Sequence, residues 1–213
     1  MINNMLLSNT QKHSPRRKVF VSYHHAQDQK YANEFRTFYG WNDTFLDRSL
    51  PDEIDSYDND YIMSQIRQKH LKESTVTVVL IGRNTWSRKW VDWEIFSSLR
   101  PYSGRTVNGL LGILLPEYTK LPPRLEANYN VKNGYQVGYA ILLNWADIAP
   151  PPMWRLMPNS SLMKLSIERK KSKLTEYIEH AYNNRTKTYL INNTEQRFKN
   201  NKPIFPIPLF KQS

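Results

Sequence analysis

A tryptophan and a glutamate one helical turn apart are the residues of this chain best suited to chemistry. In the segment Trp90-Val-Asp-Trp-Glu94, Trp90 and Glu94 are spaced i, i+4 and share one face of a predicted helix. Val91, Ile95 and Leu99 form a separate apolar stripe, rotated by about 100°, that suits a protein core. Glu94 therefore either faces a ligand or pairs with a nearby arginine or lysine, and Trp90 either borders that ligand or packs at the edge of the core.

Two polar loops follow predicted strands and supply further candidate residues. The first contains Ser22, Tyr23, His24, His25 and Asp28, and the other contains Arg83, Asn84 and Trp86. The histidines can contact ribose or phosphate or transfer protons near neutral pH, and half-exposed loop histidines without a role fit the sequence equally well. Asp28 is expected to cap the helix that follows it.

The residue types exclude several kinds of site. The chain has no cysteine, and adjacent histidines in one loop rarely ligate the same ion, so we predict no metal centre. The sequence lacks the glycine-rich phosphate loops of dinucleotide-binding and P-loop proteins, and it lacks the Gly-x-Ser-x-Gly turn of α/β-hydrolases.

Alternating elements must position these loops. Apolar and β-branched runs predict strands at 18–23, 44–46, 74–81, 109–115 and 138–143. Helical periodicity predicts a helix after Asp28, one at 59–72 with Tyr61, Ile62 and Ile66 facing inward, one at 87–99 and one at 161–183. The residues at 49–58 are predicted to form a loop, and the Pro- and Asn-rich stretch 116–137 is predicted to be irregular.

Strand–helix alternation is typical of parallel strands joined by right-handed crossovers. We therefore predict an α/β fold, a flavodoxin-like, doubly wound, mainly parallel five-stranded sheet with flanking helices. We expect residues 1–17 to be disordered, 18–158 to form one domain, 159–183 to form a helix packed on it, and 184–213 to form a basic, proline-containing arm. Ligands of such sheets bind beyond the carboxyl ends of the strands, where both polar loops would lie.

The formal net charge of +11 is concentrated at the two ends of the chain. Residues 19–163 hold equal numbers of acidic and basic side chains, so solvated basic ends are favoured over a nucleic-acid-binding surface. No apolar run is long enough to span a bilayer, and a chain without cysteine suits a reducing compartment. We expect a cytoplasmic protein that binds neither membrane nor nucleic acid.

Three segments together resemble the TIR-like family, and specifically its ThsB branch from Thoeris anti-phage systems. They are Val19-Phe-Val-Ser-Tyr-His-His25 with Asp28, then Ser74-Thr-Val-Thr-Val-Val-Leu-Ile-Gly-Arg-Asn-Thr-Trp86, and Trp90-Val-Asp-Trp-Glu94. The third segment is similar to the tryptophan-three-residues-glutamate pattern of enzymatic TIR domains. The resemblance covers about residues 18–143.

The resemblance implies a reaction and its participants. NAD⁺ would be the substrate, with no cofactor, and cleavage of its nicotinamide–ribose bond would lead to an ADP-ribose-derived, cyclic nucleotide. That signal would activate a separate effector of the ThsA type, and a phage-derived component would trigger the enzyme. Glu94 would be catalytic with Trp90 beside it, and the nucleotide would contact Ser22, Tyr23, His24 and His25, with Arg83, Asn84 and Trp86 at the border of its pocket. The basic C-terminal arm could dock a partner, including a second copy of the chain, or be an inert extension.

Other functions remain compatible with the same residues. A non-enzymatic TIR-like scaffold would use the fold for assembly, and an enzyme of the same type could transfer ADP-ribose linearly onto a small acceptor. A receiver domain of the response-regulator kind requires an acidic cluster at the strand ends, which the loop 22–28 does not contain.

Overall fold

A four-stranded parallel sheet lies at the centre of the protein. The computed structural model describes residues 17–40, 58–157 and 159–204. In chain order its strands are β1 (Val19–Ser22), β2 (Val76–Ile81), β3 (Gly109–Leu114), the short β4 (Val131–Lys132) and β5 (Tyr135–Gln136), and β6 (Ala140–Asn144). The main sheet has the order β1-β2-β3-β6 and all its pairs are parallel, whereas β4 and β5 form a separate antiparallel hairpin.

Helices cover both faces of the sheet. They are α1 (His25–Tyr39), α2 (Asn59–Gln65), α3 (Lys89–Ser98), α4 (Pro123–Glu126), α5 (Trp145–Ile148) and α6 (Ser161–Asn184). One apolar cluster joins α1, α5 and α6 to one face of the sheet, and two further clusters join α2, α3 and α4 to the other. None of the described helices is long and apolar enough to cross a membrane.

The arrangement confirms the predicted α/β, doubly wound architecture. All residues of β1 and β2 are buried, as expected for parallel strands that are covered on both faces. The core stripe of α3 is also confirmed, since Val91, Ile95 and Leu99 pack against the sheet. The main sheet has four described strands rather than five, and the predicted strand at 44–46 and most of the predicted loop at 49–58 lie outside the described residues.

The helix predicted at 59–72 differs from the expectation in two ways. Ile62 and Ile66 are buried as predicted, but Tyr61 is 49% exposed, so its inward orientation was wrong. The helix also changes type, because the segment Ile66–Leu71 forms a π-helix instead of continuing α2. The wider turn of a π-helix changes which side chains line up along the buried side of the helix. π-helical turns are also enriched at functional sites.

The stretch 116–137 was predicted to be irregular, and the structure corrects this. It contains the short helix α4 and the β4–β5 hairpin. The hairpin turns at Asn133 and Gly134, whose φ angles are 52° and 78°. Asn-Gly between two extended residues is the usual sequence of such a turn, so the signal was present in the sequence.

Asp28 links the first turn of α1 to the loop after β2 and is not the N-cap residue of α1, which corrects the sequence prediction. His24 occupies the N-cap of α1, and Asp28 lies within the first turn. Its buried carboxylate accepts a hydrogen bond from the Thr85 hydroxyl at 2.7 Å. A Cβ atom on Gly82 would lie 2.0 Å from Asp28 Oδ1, so this contact requires glycine at the end of β2. Burial raises the pKa of Asp28, and the Thr85 hydrogen bond opposes that rise.

The C-terminal arm is anchored to the domain over much of its described length. Beyond α6, backbone groups of residues 192–202 bond to α3, α4 and the loop before α3. The Lys202 amide donates to the Ser87 carbonyl at 2.8 Å, and Asn201 Oδ1 accepts from the Lys89 amide at 2.8 Å. The arm therefore reaches the N-terminus of the helix that carries Glu94.

Candidate functional site

A short hydrogen bond between Ser22 and Glu94 defines the candidate site. The Ser22 hydroxyl donates to Glu94 Oε2 at 2.6 Å, a distance typical of a bond to a charged oxygen. Ser22 ends β1 and is 1% exposed, and Glu94 is half-buried in the second turn of α3. Because β1 and β2 are adjacent and parallel, and α3 follows β2, the two residues meet near the carboxyl edge of the sheet.

Successive residues of a strand point to opposite faces of the sheet, so Tyr23 and Ser22 lie on different faces. Ser22 faces α3, whereas Tyr23 belongs to the apolar cluster around α1. The Tyr23 hydroxyl donates to Gln29 Oε1 at 3.0 Å and accepts from Arg36 at 3.3 Å. The exposed ring of His25 stacks on Tyr23 with a centroid distance of 4.3 Å. Tyr23 and His25 thus contact each other and do not join Glu94.

His24 and Arg88 carry two buried nitrogens that have no partner in the described part of the chain. These are His24 Nδ1 and Arg88 Nε, and both side chains are half-buried. His24 precedes α1 and Arg88 precedes α3, and neither helix has a side-chain cap at that end. Burial lowers the pKa of His24, and the nearby charge of Arg88 lowers it further. Sequence reasoning missed Arg88, although its position directly before the Trp90–Glu94 helix was a usable signal.

The depressed pKa of His24 predicts that the folded state loses stability as the pH falls. An unfolded histidine takes up its proton near pH 6.5, and the folded state resists this protonation until a lower pH. The free energy of unfolding should therefore fall as the pH drops from about 7 through that pKa. Urea titrations at several pH values should show a smaller fall in His24→Gln than in wild type.

His180 is the internal comparison for this measurement, because burial also lowers its pKa. The variants His24→Gln and His180→Gln should each remove part of the acid-dependent loss, and the double variant should remove more. If His24→Gln follows the wild-type curve at every pH, the assignment of a buried, neutral imidazole to His24 is wrong.

The loop after β2 places its three candidate residues differently. Asn84 is buried, and its Nδ2 donates to Gln27 Oε1 at 2.9 Å, which ties this loop to the start of α1. Arg83 is exposed, and its carbonyl accepts from the Thr119 hydroxyl at 2.7 Å. Trp86 is half-buried, and the Lys120 ammonium lies 3.5 Å from its ring centroid. Only Asn84 is connected to the loop that contains His24.

Trp90 lies at the edge of the core, in a position that serves packing. It is half-buried against the apolar cluster that includes Phe20 and Trp93, and the centroids of the Trp90 and Trp93 rings are 6.0 Å apart. The side chain therefore supports the face of α3 next to Glu94.

Asp92, Trp93 and Glu94 are consecutive in α3 and point to three different partners. Asp92 forms a buried ion pair with Arg124 of α4, with Oδ1 and Nε 2.9 Å apart. The Trp93 indole donates to the Phe198 carbonyl of the C-terminal arm at 2.7 Å, and Glu94 accepts from Ser22. Successive helical residues are rotated by about 100°, so one turn of α3 links α4, the arm and β1.

No metal-binding group is present in the parts of the chain that the structure describes, since no three His, Asp or Glu side chains cluster there. A groove of about 530 Å³ lies between the β4–β5 hairpin and α6, and Tyr135, Tyr177 and His180 line it. Ser22 and Glu94 do not border this groove, so hydrogen-bond chemistry rather than cavity size identifies the candidate site.

The chain is similar to one protein family and to a solved structure of TIR domains. Among solved structures, the chain is similar to the TIR domains in "Structure of the activated Roq1 resistosome directly recognizing the pathogen effector XopQ", with 12% identity, a TM-score of 0.32 and coverage of 83% of this chain and 85% of that chain. No curated protein matches the chain. Residues 20–120 match the model of the family described as "Thoeris protein ThsB, TIR-like domain". The matched segment runs from β1 through β3 and contains Ser22 and Glu94, so this part of the chain is similar to the TIR-like domain of Thoeris ThsB proteins.

Proposed function

We propose that this protein cleaves the nicotinamide–ribose bond of NAD⁺ and converts the ADP-ribosyl part into a nucleotide signal. The 2.6 Å bond from Ser22 to Glu94 carries the proposal, because it holds a carboxylate near the edge of the sheet where nucleotides bind in α/β folds. The match to the ThsB family supports the anti-phage context.

The proposed reaction needs one well-placed negative charge. When the bond between ribose C1′ and the nicotinamide nitrogen breaks, its electron pair goes to that nitrogen and neutral nicotinamide leaves. The ribose then carries positive charge that is shared between C1′ and the ring oxygen. The Glu94 carboxylate would stabilise this charge and hold a ribose hydroxyl. No cofactor or strong acid is required, since the leaving group is already cationic in the substrate.

Ser22 would act as a positioning residue in this reaction. Its hydroxyl is nearly inaccessible to solvent and occupies one oxygen of Glu94, which orients the carboxylate toward the ribose. Arg88 would supply the positive charge of the site, and the neutral imidazole of His24 would add a hydrogen-bonding group. Their two unpartnered buried nitrogens suit the phosphates of the nucleotide, which accept hydrogen bonds from such donors.

A nucleophile from the same nucleotide would complete the signal. Attack of an adenine nitrogen or a ribose oxygen on C1′, followed by loss of its proton where it carries one, gives a cyclic ADP-ribose, which contains one water fewer than ADP-ribose because no water is added. We propose that this product acts in the cytoplasm on a separate effector of the ThsA type. A phage-derived component would activate the enzyme, and a second copy of the chain would be its partner in assembly.

Mass spectrometry of nucleotides tests the proposal directly. Cells that express the protein are compared with and without phage, and purified protein is incubated with NAD⁺ and phage lysate. Released nicotinamide together with a cyclic nucleotide that is one water lighter than ADP-ribose is the expected result. A linear conjugate of ADP-ribose would support transfer to an acceptor instead. Intact NAD⁺ under all conditions, with phage protection retained, would leave a non-enzymatic scaffold as the function.

Replacing Ser22 by alanine should lower kcat for nicotinamide release by roughly 10- to 100-fold. Loss of a hydrogen bond to a charged group costs about 1.5–3 kcal/mol, and the carboxylate would no longer be oriented. Ser74→Ala is the matched control, because Ser74 is also buried beside β2 but bonds to Leu71 and Asn108 instead. Equal rates for Ser22→Ala and Ser74→Ala would exclude the positioning role.

A further inference from the structure

A second cationic site lies at the opposite edge of the sheet from Glu94. A cavity of about 30 Å³ opens where α3 ends and the loop before β3 begins. Three arginines line it, namely Arg67, Arg100 and Arg105, together with Ser97, Thr106 and Asn108. No acidic side chain lines this cavity in the described part of the chain. The lining therefore offers several hydrogen-bond donors and a concentrated positive charge.

Arg100 is surrounded by other arginines. Burial and the charges of Arg124, Arg67 and Arg197 lower the pKa of Arg100 to about 10, and the opposing effect of Asp92 is the smallest contribution. An arginine pKa is normally above 12. Such crowding of cations destabilises the folded protein unless an anion joins them.

The guanidinium of Arg100 is held in one orientation. Its central carbon lies 3.4 Å from the centroid of the Phe96 ring, and its Nη1 donates to the Phe96 carbonyl at 3.1 Å. Stacking on an aromatic ring fixes the plane of the guanidinium and leaves its other edge for an anion. A preorganised donor of this kind loses little conformational entropy when a ligand binds.

A tight turn presents Arg105 to the same cavity. Tyr102 and Arg105 bond to each other through both backbone pairs, at 3.0 Å and 3.3 Å. Ser103 and Gly104 between them have φ angles of 49° and 75°, so both central residues adopt the left-handed conformation. On the other side of the cavity, Arg67 belongs to the π-helix, and its guanidinium lies 5.0 Å from the Tyr102 ring centroid.

We propose that this cavity binds a terminal phosphate group, held by the guanidinium groups of Arg100 and Arg105. Planar guanidinium groups bind phosphate oxygens in a bidentate manner, and neighbouring hydroxyl and amide groups extend that contact. The small volume excludes a base or sugar ring, so only a terminal group of the ligand can enter between the arginines. The ligand is therefore a phosphorylated molecule whose remainder lies outside the cavity, either a small phosphate ester or the phosphorylated end of a nucleic acid.

Calorimetric titration of the full chain with inorganic phosphate at constant ionic strength tests the proposal. Arg105→Gln and Arg100→Gln should each weaken binding by about tenfold, as expected for loss of one charge-assisted contact. Arg105 is exposed, so its variant should fold normally, which circular dichroism would show. Arg155→Gln, an exposed arginine elsewhere, should leave this affinity within about twofold.

The variants also separate this site from the one around Glu94. If Arg88→Gln abolishes phosphate binding while Arg105→Gln does not change it, phosphate binds at the other edge of the sheet and the proposal is overturned. No heat above that of a chloride titration would overturn it as well. Failure of NAD⁺ cleavage would have no bearing on this result, because the titration requires no catalysis.

Competition distinguishes the two sources of the phosphate. A short oligonucleotide with a 5′-phosphate that displaces inorganic phosphate would support a nucleic-acid end as the ligand. A small phosphate ester that competes while the oligonucleotide does not would support a free metabolite. An oligonucleotide without a terminal phosphate that competes equally well would contradict the proposal, because binding would then follow backbone charge alone.

Discussion

Replacing Glu94 by glutamine should reduce the rate of NAD⁺ cleavage by roughly 100- to 1000-fold. The amide oxygen of glutamine can still accept the Ser22 hydrogen bond, so the geometry of the site is kept. What is lost is the negative charge that stabilises the cationic ribose, and preorganised electrostatic contacts of this kind contribute about 3–4 kcal/mol. The measurement is kcat for nicotinamide release from purified protein in the presence of the activating phage lysate.

A matched variant shows whether this effect is specific. Glu126→Gln removes an exposed carboxylate of α4 in the same domain, and it should keep the wild-type rate. Thermal unfolding of both variants should differ little from wild type, because neither substitution changes side-chain volume. Cleavage by Glu94→Gln at the wild-type rate would exclude Glu94 as the catalytic residue, while the α/β fold would stand.

Replacing Arg124 by methionine should destabilise the folded protein by about 3–5 kcal/mol. Arg124 is completely buried and bonds to both oxygens of Asp92 at 2.9 Å and 3.3 Å. It also donates to the carbonyls of Glu195 and Gln196. The substitution leaves the buried Asp92 carboxylate without its counter-charge and the two carbonyls without this donor. Thermal unfolding should move down by on the order of 10 °C for a chain of this size.

A double variant and a surface control sharpen this measurement. Asp92→Asn together with Arg124→Met removes both charges, so it should recover part of the lost stability. Arg155→Met on the surface should leave the unfolding temperature nearly unchanged. Limited proteolysis of Arg124→Met should cut the C-terminal arm faster than in wild type. An unchanged unfolding temperature in Arg124→Met would show that the pair does not secure the arm.

The buried pair also connects the arm to the candidate site. Asp92 Oδ2 accepts from the Phe198 amide at 2.9 Å, and the next residue, Trp93, bonds to the carbonyl of the same Phe198. Glu94 follows directly in the helix. The arm, predicted either to dock a partner or to be an inert extension, is thus in its described part a packed element of the helix that presents Glu94.

Much of the fold could be predicted from local patterns. The spacing of apolar residues predicts which side chains are buried, because it matches the geometry of the strand or helix that contains them. Examples are the β-branched run in β2 and the i, i+4, i+8 stripe of Val91, Ile95 and Leu99. The spacing of Trp90 and Glu94 likewise placed both on one helical face. The Asn-Gly turn at Asn133 was readable by the same kind of rule and was missed.

The contacts of the site depended on the packing of distant segments. The sequence around Ser22 does not predict that its hydroxyl bonds to Glu94. It also does not predict that Tyr23 packs on the opposite face of the sheet. Arg124 lies in a stretch without a recognisable motif, and its partners are 32 and about 70 residues away. Such long-range pairs leave no periodic pattern in the sequence, because the two partners become neighbours only when the strands and helices pack together.

The sequence by itself determined that this chain forms alternating strands and helices and that one helix carries a tryptophan and a glutamate on a shared face. Only the tertiary structure decided which neighbours those side chains have. The reason is geometric: backbone periodicity is a property of consecutive residues, whereas the Ser22–Glu94 bond and the Asp92–Arg124 pair arise from parallel strands and packed helices that bring separate segments to one place.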